Sequence, residues 1–108
     1  MNLLAYDLAL DLIRHTRPAL AVIRRHDASL ARQLRDALSS IALNTAEASG
    51  RIGGDRLHLF RIALGSLRES SACFDVAVAQ GFLEEAPLAH ERDRLGGLLF
   101  GLQRPPAA

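Results

Sequence analysis

Apolar residues return along this chain at helical spacing, and turn residues cut the pattern into four segments. In the first, about residues 3–25, Leu4, Leu8, Leu12, His15, Ala19, Val22 and Ile23 form one stripe, widened by Tyr6, Ala9, Ile13 and Leu20. Pro18 lies inside it, where the ring removes a backbone donor and crowds the preceding turn. A kink or a break near residues 14–18 is expected. Asp27 is a suitable N-cap for a second helix, about residues 28–50, with Leu30, Leu34, Ala37, Leu38, Ile41, Thr45 and Ala48 on its buried line. Gly50, Gly53 and Gly54 stop it, and Asp55 is expected to cap a third helix reaching about residue 80. That helix carries Leu57, Phe60, Leu64, Leu67, Phe74 and Val78 on one side and Ile62, Ser66, Cys73, Val76 and Ala77 on another, so it is either central or shared with a neighbouring subunit. Gly81 closes it, Pro87 suits the first turn of a fourth helix, and Leu88, Leu95, Leu98, Leu99 and Leu102 are that helix's apolar residues. Gly96, Gly97 and Gly101 within it imply that another backbone packs closely.

Short links make successive helices antiparallel, which predicts an all-α, up-down-up-down antiparallel four-helix bundle. Residues 1–104 form its single domain, and residues 105–108, with Pro105 and Pro106, a frayed tail. Composition agrees: 49% of residues are hydrophobic but only 5% aromatic, and Leu, Ala and Arg favour helices over strands. A chain of 108 residues holds one modest core, which oligomerisation would help to stabilise. No apolar run approaches the roughly 20 residues of a membrane span, so a cytoplasmic protein without a membrane partner is expected. Cys73 stands alone, which excludes an intrachain disulfide and predicts a small buried hydrophobe.

Charge changes the picture more than composition does. The net charge is only +1, yet every basic residue is Arg, and from Arg14 to Arg68 ten Arg face four acids, a local +6 between acidic flanks. Solvated helix faces would explain such a distribution; so would a surface that meets a polyanion. In an up-down bundle Arg24, Arg25 and Arg32 flank the first turn, while Arg51 and Arg56 flank the second, where Arg104 joins them. Glu84 and Glu85 return to the first end and offset its charge. These six Arg are the candidate nucleic-acid contacts.

A second pattern lies in "SSIALNTAEASGR", residues 39–51. At about 100° per residue, Gln33, Ser40, Asn44, Glu47 and Arg51 fall beside the apolar line of the second helix. Such a seam is either a rim touching water or a buried strip that needs polar partners. On the third helix, Gly65 would permit close approach, while Ser66 and Glu69 are placed to meet Asn44 or Arg51. Catalysis has little to build on. His15, His26, His58 and His90 lack metal-ligand spacing, and Ser40 and Ser66 have no His at helical spacing, so no catalytic, metal or cofactor-binding residues are assigned and a non-enzyme is expected.

Two motifs on these residues resemble a known family, the four-helix-bundle proteins encoded in intervening sequences of 23S ribosomal RNA genes, which include accessory proteins of diversity-generating retroelements. Residues 33–51, "QLRDALSSIALNTAEASGR", match the pattern QLRRAxxSIxxNIAEGxGR, and residues 59–69, "LFRIALGSLRE", match FxxIAxGSxxE. Asp36, Thr45, Ala48 and Leu59 depart from those patterns. The resemblance implies a non-enzymatic homo-oligomer, a pentamer, in which the two-faced third helix meets its neighbours. For the retroelement branch it implies RNA or DNA and a reverse transcriptase as partners. A self-assembling scaffold or protein adaptor without nucleic-acid binding is the alternative.

Overall fold

A computed structural model describes residues 3–104. All regular structure among them is helical: α1 spans Leu3–His26, α2 Ala28–Ser49, α3 Gly53–Ala79 and α4 Ala89–Leu102. The helices form an elongated four-helix bundle of 49 × 21 × 19 Å. The α2–α3 pair is the most extensive, followed by α1–α2 and α3–α4, and α4 closes the bundle against α1. The proposed tail, residues 105–108, lies outside the described residues.

Local chemistry explains most boundaries. Asp27 alone links α1 to α2, with extended backbone, and its carboxylate accepts the Leu30 amide at 3.0 Å. At the far end of α3, Gly81 adopts φ 82°, and the chain closes as a Schellman turn. There the Phe82 amide donates to Ala77 O at 2.8 Å and the Gly81 amide to Val78 O at 3.0 Å. Other boundaries differ from expectation. The N-cap of α3 is Ile52, without a side-chain acceptor, and Asp55 sits inside the first turn, because Gly53 at φ 62° lets the chain enter the helix three residues early. Pro87 precedes α4 rather than opening it. Leu88 is the N-cap in left-handed conformation, φ 61°, and the Arg92 side chain secures this turn by donating from Nε to Pro87 O at 3.0 Å and from Nη1 to Ser71 Oγ at 2.9 Å.

Helix α1 continues through Pro18 without a break. Pro18 is exposed, so its ring projects towards water and the helix is held by its other face. That face is only partly the expected one. Leu12 and Ile23 of the stripe and Ala9 beside it are buried, joined by Ala5 and Thr16, whereas Leu4 and His15 are exposed. Small residues at the contact allow close helix approach, with the flanking Leu8 and Leu10 packed half-buried around it. Thr16 can be buried because its hydroxyl donates to Leu12 O at 2.7 Å.

The core proper joins Leu34, Leu38 and Ile41 of α2 to Phe60, Leu67 and Phe74 of α3 and Leu95 and Leu99 of α4. Gly96 is the one α4 glycine with a near neighbour, a Cβ there standing 3.4 Å from Leu67 Cδ2; Gly97 and Gly101 face open space, so the expected close backbone contact is absent there. One buried polar atom, Thr45 Oγ1, has no hydrogen-bond partner among the described residues.

Candidate functional site

The polar seam divides in two. Ser40 and Ser66 join α2 to α3 through a 2.7 Å hydroxyl–hydroxyl bond, and Asn44 Nδ2 donates to Ser40 O at 2.9 Å and Ser40 Oγ at 3.0 Å. Ser70, next along α3, returns its hydroxyl to Ser66 O at 2.9 Å. These groups satisfy one another at the edge of the core, and the Ser40–Ser66 bond links the two helices. The rest of the seam does not join them. Glu47 and Arg51, just past the end of α2, are exposed and pair with each other at 3.1 Å, and Gln33 and Glu69 are exposed as well. A Cβ at Gly65 would meet nothing within 4 Å, so Gly65 does not bring helices together within the chain.

Glu69 acts elsewhere. Burial, and secondarily the Glu69 carboxylate, push the Cys73 thiol above its ordinary value of 9.0, so this buried cysteine stays protonated and unreactive at neutral pH. His15 and His90, far apart in sequence, meet with Asp11, Glu91 and Arg94 around a depression of about 250 Å³ between α1 and α4. No group of three or more His, Cys, Asp or Glu among the described residues is placed to hold a metal ion. His26 stacks on Phe82, ring centroids 4.8 Å apart and planes 4° from parallel.

The arginines make two separate surfaces. Along the outside of α1 and α2, Arg14, Arg17 and Arg24 line a shallow groove of about 620 Å³ with Pro18, Leu20 and Ala21. Arg24 also lines the adjoining depression, of about 190 Å³, with Arg32 and Arg35. The two run into one basic strip through Arg24. Within it Arg14 pairs with Asp11 at 2.8 Å and Arg35 approaches Asp36 at 3.8 Å, while Arg17, Arg24 and Arg32 are exposed. Arg25 is exposed nearby without lining either depression. The reading from sequence included Arg24, Arg25 and Arg32 but missed Arg14, Arg17 and Arg35; the three- and seven-residue spacing of Arg14, Arg17 and Arg24 was the available signal. Glu84 and Glu85, expected to offset this charge, line neither depression.

At the opposite end, Arg51, Arg56 and Arg104 come together. They line a groove of about 500 Å³ at the α2–α3 turn together with half-buried Leu57 and Leu102 and the exposed Ile52. Two of these guanidiniums rest on aromatic rings: Arg56 lies 4.9 Å from the centroid of Phe60 and Arg104 5.9 Å from that of Phe100. Arg56 Nη1 also donates to Ala48 O at 3.3 Å.

Exposed apolar side chains form a further class. Leu43 is 68% exposed on the outside of α2, and Ile62 and Val76 of α3 are 37% and 43% exposed. No helix among the described residues is long and apolar enough to cross a membrane.

No curated protein matches the chain. Among solved structures, the fold is similar to a crystal structure of a protein with unknown function from the S23 ribosomal protein family of Bacteroides thetaiotaomicron. The TM-score is 0.65 at 13% identity, over 92% of this chain and 91% of that one, a likeness of fold. The model of the 23S rRNA-intervening sequence protein family matches residues 1–99, and the chain belongs to that family.

Proposed function

We propose that this family member is a non-enzymatic, self-associating bundle that binds nucleic acid through its phosphates, without reading sequence. The observation that carries this reading is the basic strip, in which Arg24 links two arginine-lined depressions across α1 and α2. Guanidiniums pair bidentately with phosphate, and a line of them along a helix pair follows a backbone rather than enclosing a small molecule. The strip's open shape and its succession of exposed guanidiniums favour backbone contact over base readout. Self-association has its own support in the exposed Leu43, Ile62 and Val76, apolar surface that a lone bundle leaves in water. A cyclic oligomer such as the pentamer implied by the resemblance would repeat each strip and multiply weak contacts by avidity.

The test is a titration of the full chain with single-stranded and duplex RNA and DNA at about 50 and 200 mM salt, a range over which several phosphate contacts cost orders of magnitude in affinity. Salt-sensitive binding of all four supports the reading; no binding at the lower salt overturns it. The exposed apolar residues favour a second reading, a scaffold or adaptor without nucleic acid, which predicts an oligomer by light scattering and no response in that titration.

A further inference from the structure

The groove at the α2–α3 turn is more apolar than either depression of the strip. Half-buried Leu57 and Leu102 form its floor beside Arg51, Arg56 and Arg104, and Ile52 stands at its mouth. Ile52 is 88% exposed, a large apolar side chain held in water at the mouth of a concave site. Its volume of about 500 Å³ is within the range of about 300–1,000 Å³ that small-ligand clefts occupy. A phosphate track has no use for such a floor. The matching ligand needs an anionic edge for the rim and a flat or apolar body for the floor.

From this complementarity we infer that the groove receives an unpaired base of single-stranded nucleic acid, with the adjoining phosphate held by the arginine rim. Within a duplex the bases are stacked and paired, and their apolar faces cannot reach a concave floor. In a single strand they can be splayed out and laid on apolar side chains or guanidinium planes. Arg56 and Arg104 are pre-positioned for this. Each rests on an aromatic ring, and Arg56 is further tied to Ala48 O, so little side-chain freedom remains to be lost on binding. Arg51 is shared with Glu47, whose carboxylate it exchanges for phosphate when a strand enters. The inference rests on the proposed nucleic-acid binding and adds to it a preference for single strands seated at this end of the bundle.

The experiment compares an oligouridine of about eight nucleotides with a blunt duplex of equal length, for the parent chain, Ile52→Ser and Arg104→Ala. Ser at position 52 removes the apolar side chain at the mouth while supplying the N-cap hydroxyl that α3 lacks, so folding is preserved. The expected result is that each variant weakens oligouridine binding about tenfold and leaves duplex binding unchanged. Uridine monophosphate should shift the amide resonances of Ile52, Gly53 and Gly54 in the parent chain. Equal loss for single strand and duplex, or none for Ile52→Ser, overturns the inference while leaving the proposed function standing. Shifts with uridine monophosphate but no duplex binding support the groove and overturn the strip reading instead. Displacement of bound oligouridine by an apolar, carboxylate-ended peptide, combined with a peptide affinity that exceeds the nucleotide's, assigns the groove to a protein partner and overturns the inference as well.

Discussion

The two arginine surfaces of this bundle use one residue type in different physical settings. On the α1–α2 strip, Arg17, Arg24 and Arg32 stand in water on helix backs. At the α2–α3 groove, Arg56 and Arg104 rest on rings above an apolar floor. A mobile, solvated guanidinium adds charge and counterion release wherever phosphate passes, and it does not depend on the shape of what it meets. A guanidinium held by its neighbours has a fixed direction, so it favours ligands whose phosphates come to it at a given angle. Under the proposed function, the strip would govern how strongly the protein attracts a polyanion, and the groove which form of it is kept.

Removing the strip should have the largest effect. For Arg17→Ala/Arg24→Ala/Arg32→Ala, affinity for RNA and DNA of either strandedness should fall about a hundredfold at about 50 mM salt, with the salt slope smaller by about 3, measured by fluorescence anisotropy across salt. An unchanged slope would show that these side chains do not meet phosphate. The groove counterpart, Arg56→Ala/Arg104→Ala, should cost about tenfold for single strands and little for duplex. It should also lower stability slightly, because Phe60 and Phe100 lose their cationic cover. If this pair weakens duplex binding as much as the strip variant does, the two surfaces are one.

The seam supplies a control with polar groups but no net charge. Asn44→Leu removes two donor bonds to Ser40 and should lower stability by about 1–2 kcal/mol in a urea melt while leaving nucleic-acid affinity intact. A variant as stable as the parent would mean that the seam is a wetted rim after all. Smallest and opposite in sign is Thr45→Val. Its buried hydroxyl has no partner, so an apolar group of the same shape should raise stability by about 1 kcal/mol, read from the same melts.

Legibility varied along the chain for identifiable reasons. In α2 the buried line from Leu30 to Ala48 agrees with the periodicity, because large apolar residues there alternate with clearly polar ones and leave one face to bury. In α1 the same reasoning found Ala9, Leu12 and Ile23 but also selected Leu4 and His15, whereas the contact uses Ala5 and Thr16 in their place. Apolar residues surround that helix on several sides, so periodicity defines a broad arc, and only the partner helix selects the line within it. The seam shows a similar limit. Sequence placed Ser40, Asn44 and Glu47 on nearly one line, yet only Ser40 meets α3, through Ser66, while Asn44 donates back to Ser40 within α2 and Glu47 stays with Arg51 in water.

By itself the sequence determined the helical class, the number of helices, the Asp27 cap, the Gly81 turn and the abundance of arginine, since each depends on local backbone preference or composition. Tertiary structure decided which arginines share a surface. Arg51, Arg56 and Arg104 converge because two helix ends meet at one pole of the bundle, and Arg24 joins Arg32 and Arg35 because a single residue reverses the chain between α1 and α2. Distances between side chains on different helices depend on the rotation of each helix about its axis, and that rotation is fixed by packing against every neighbour at once rather than by any local run of residues.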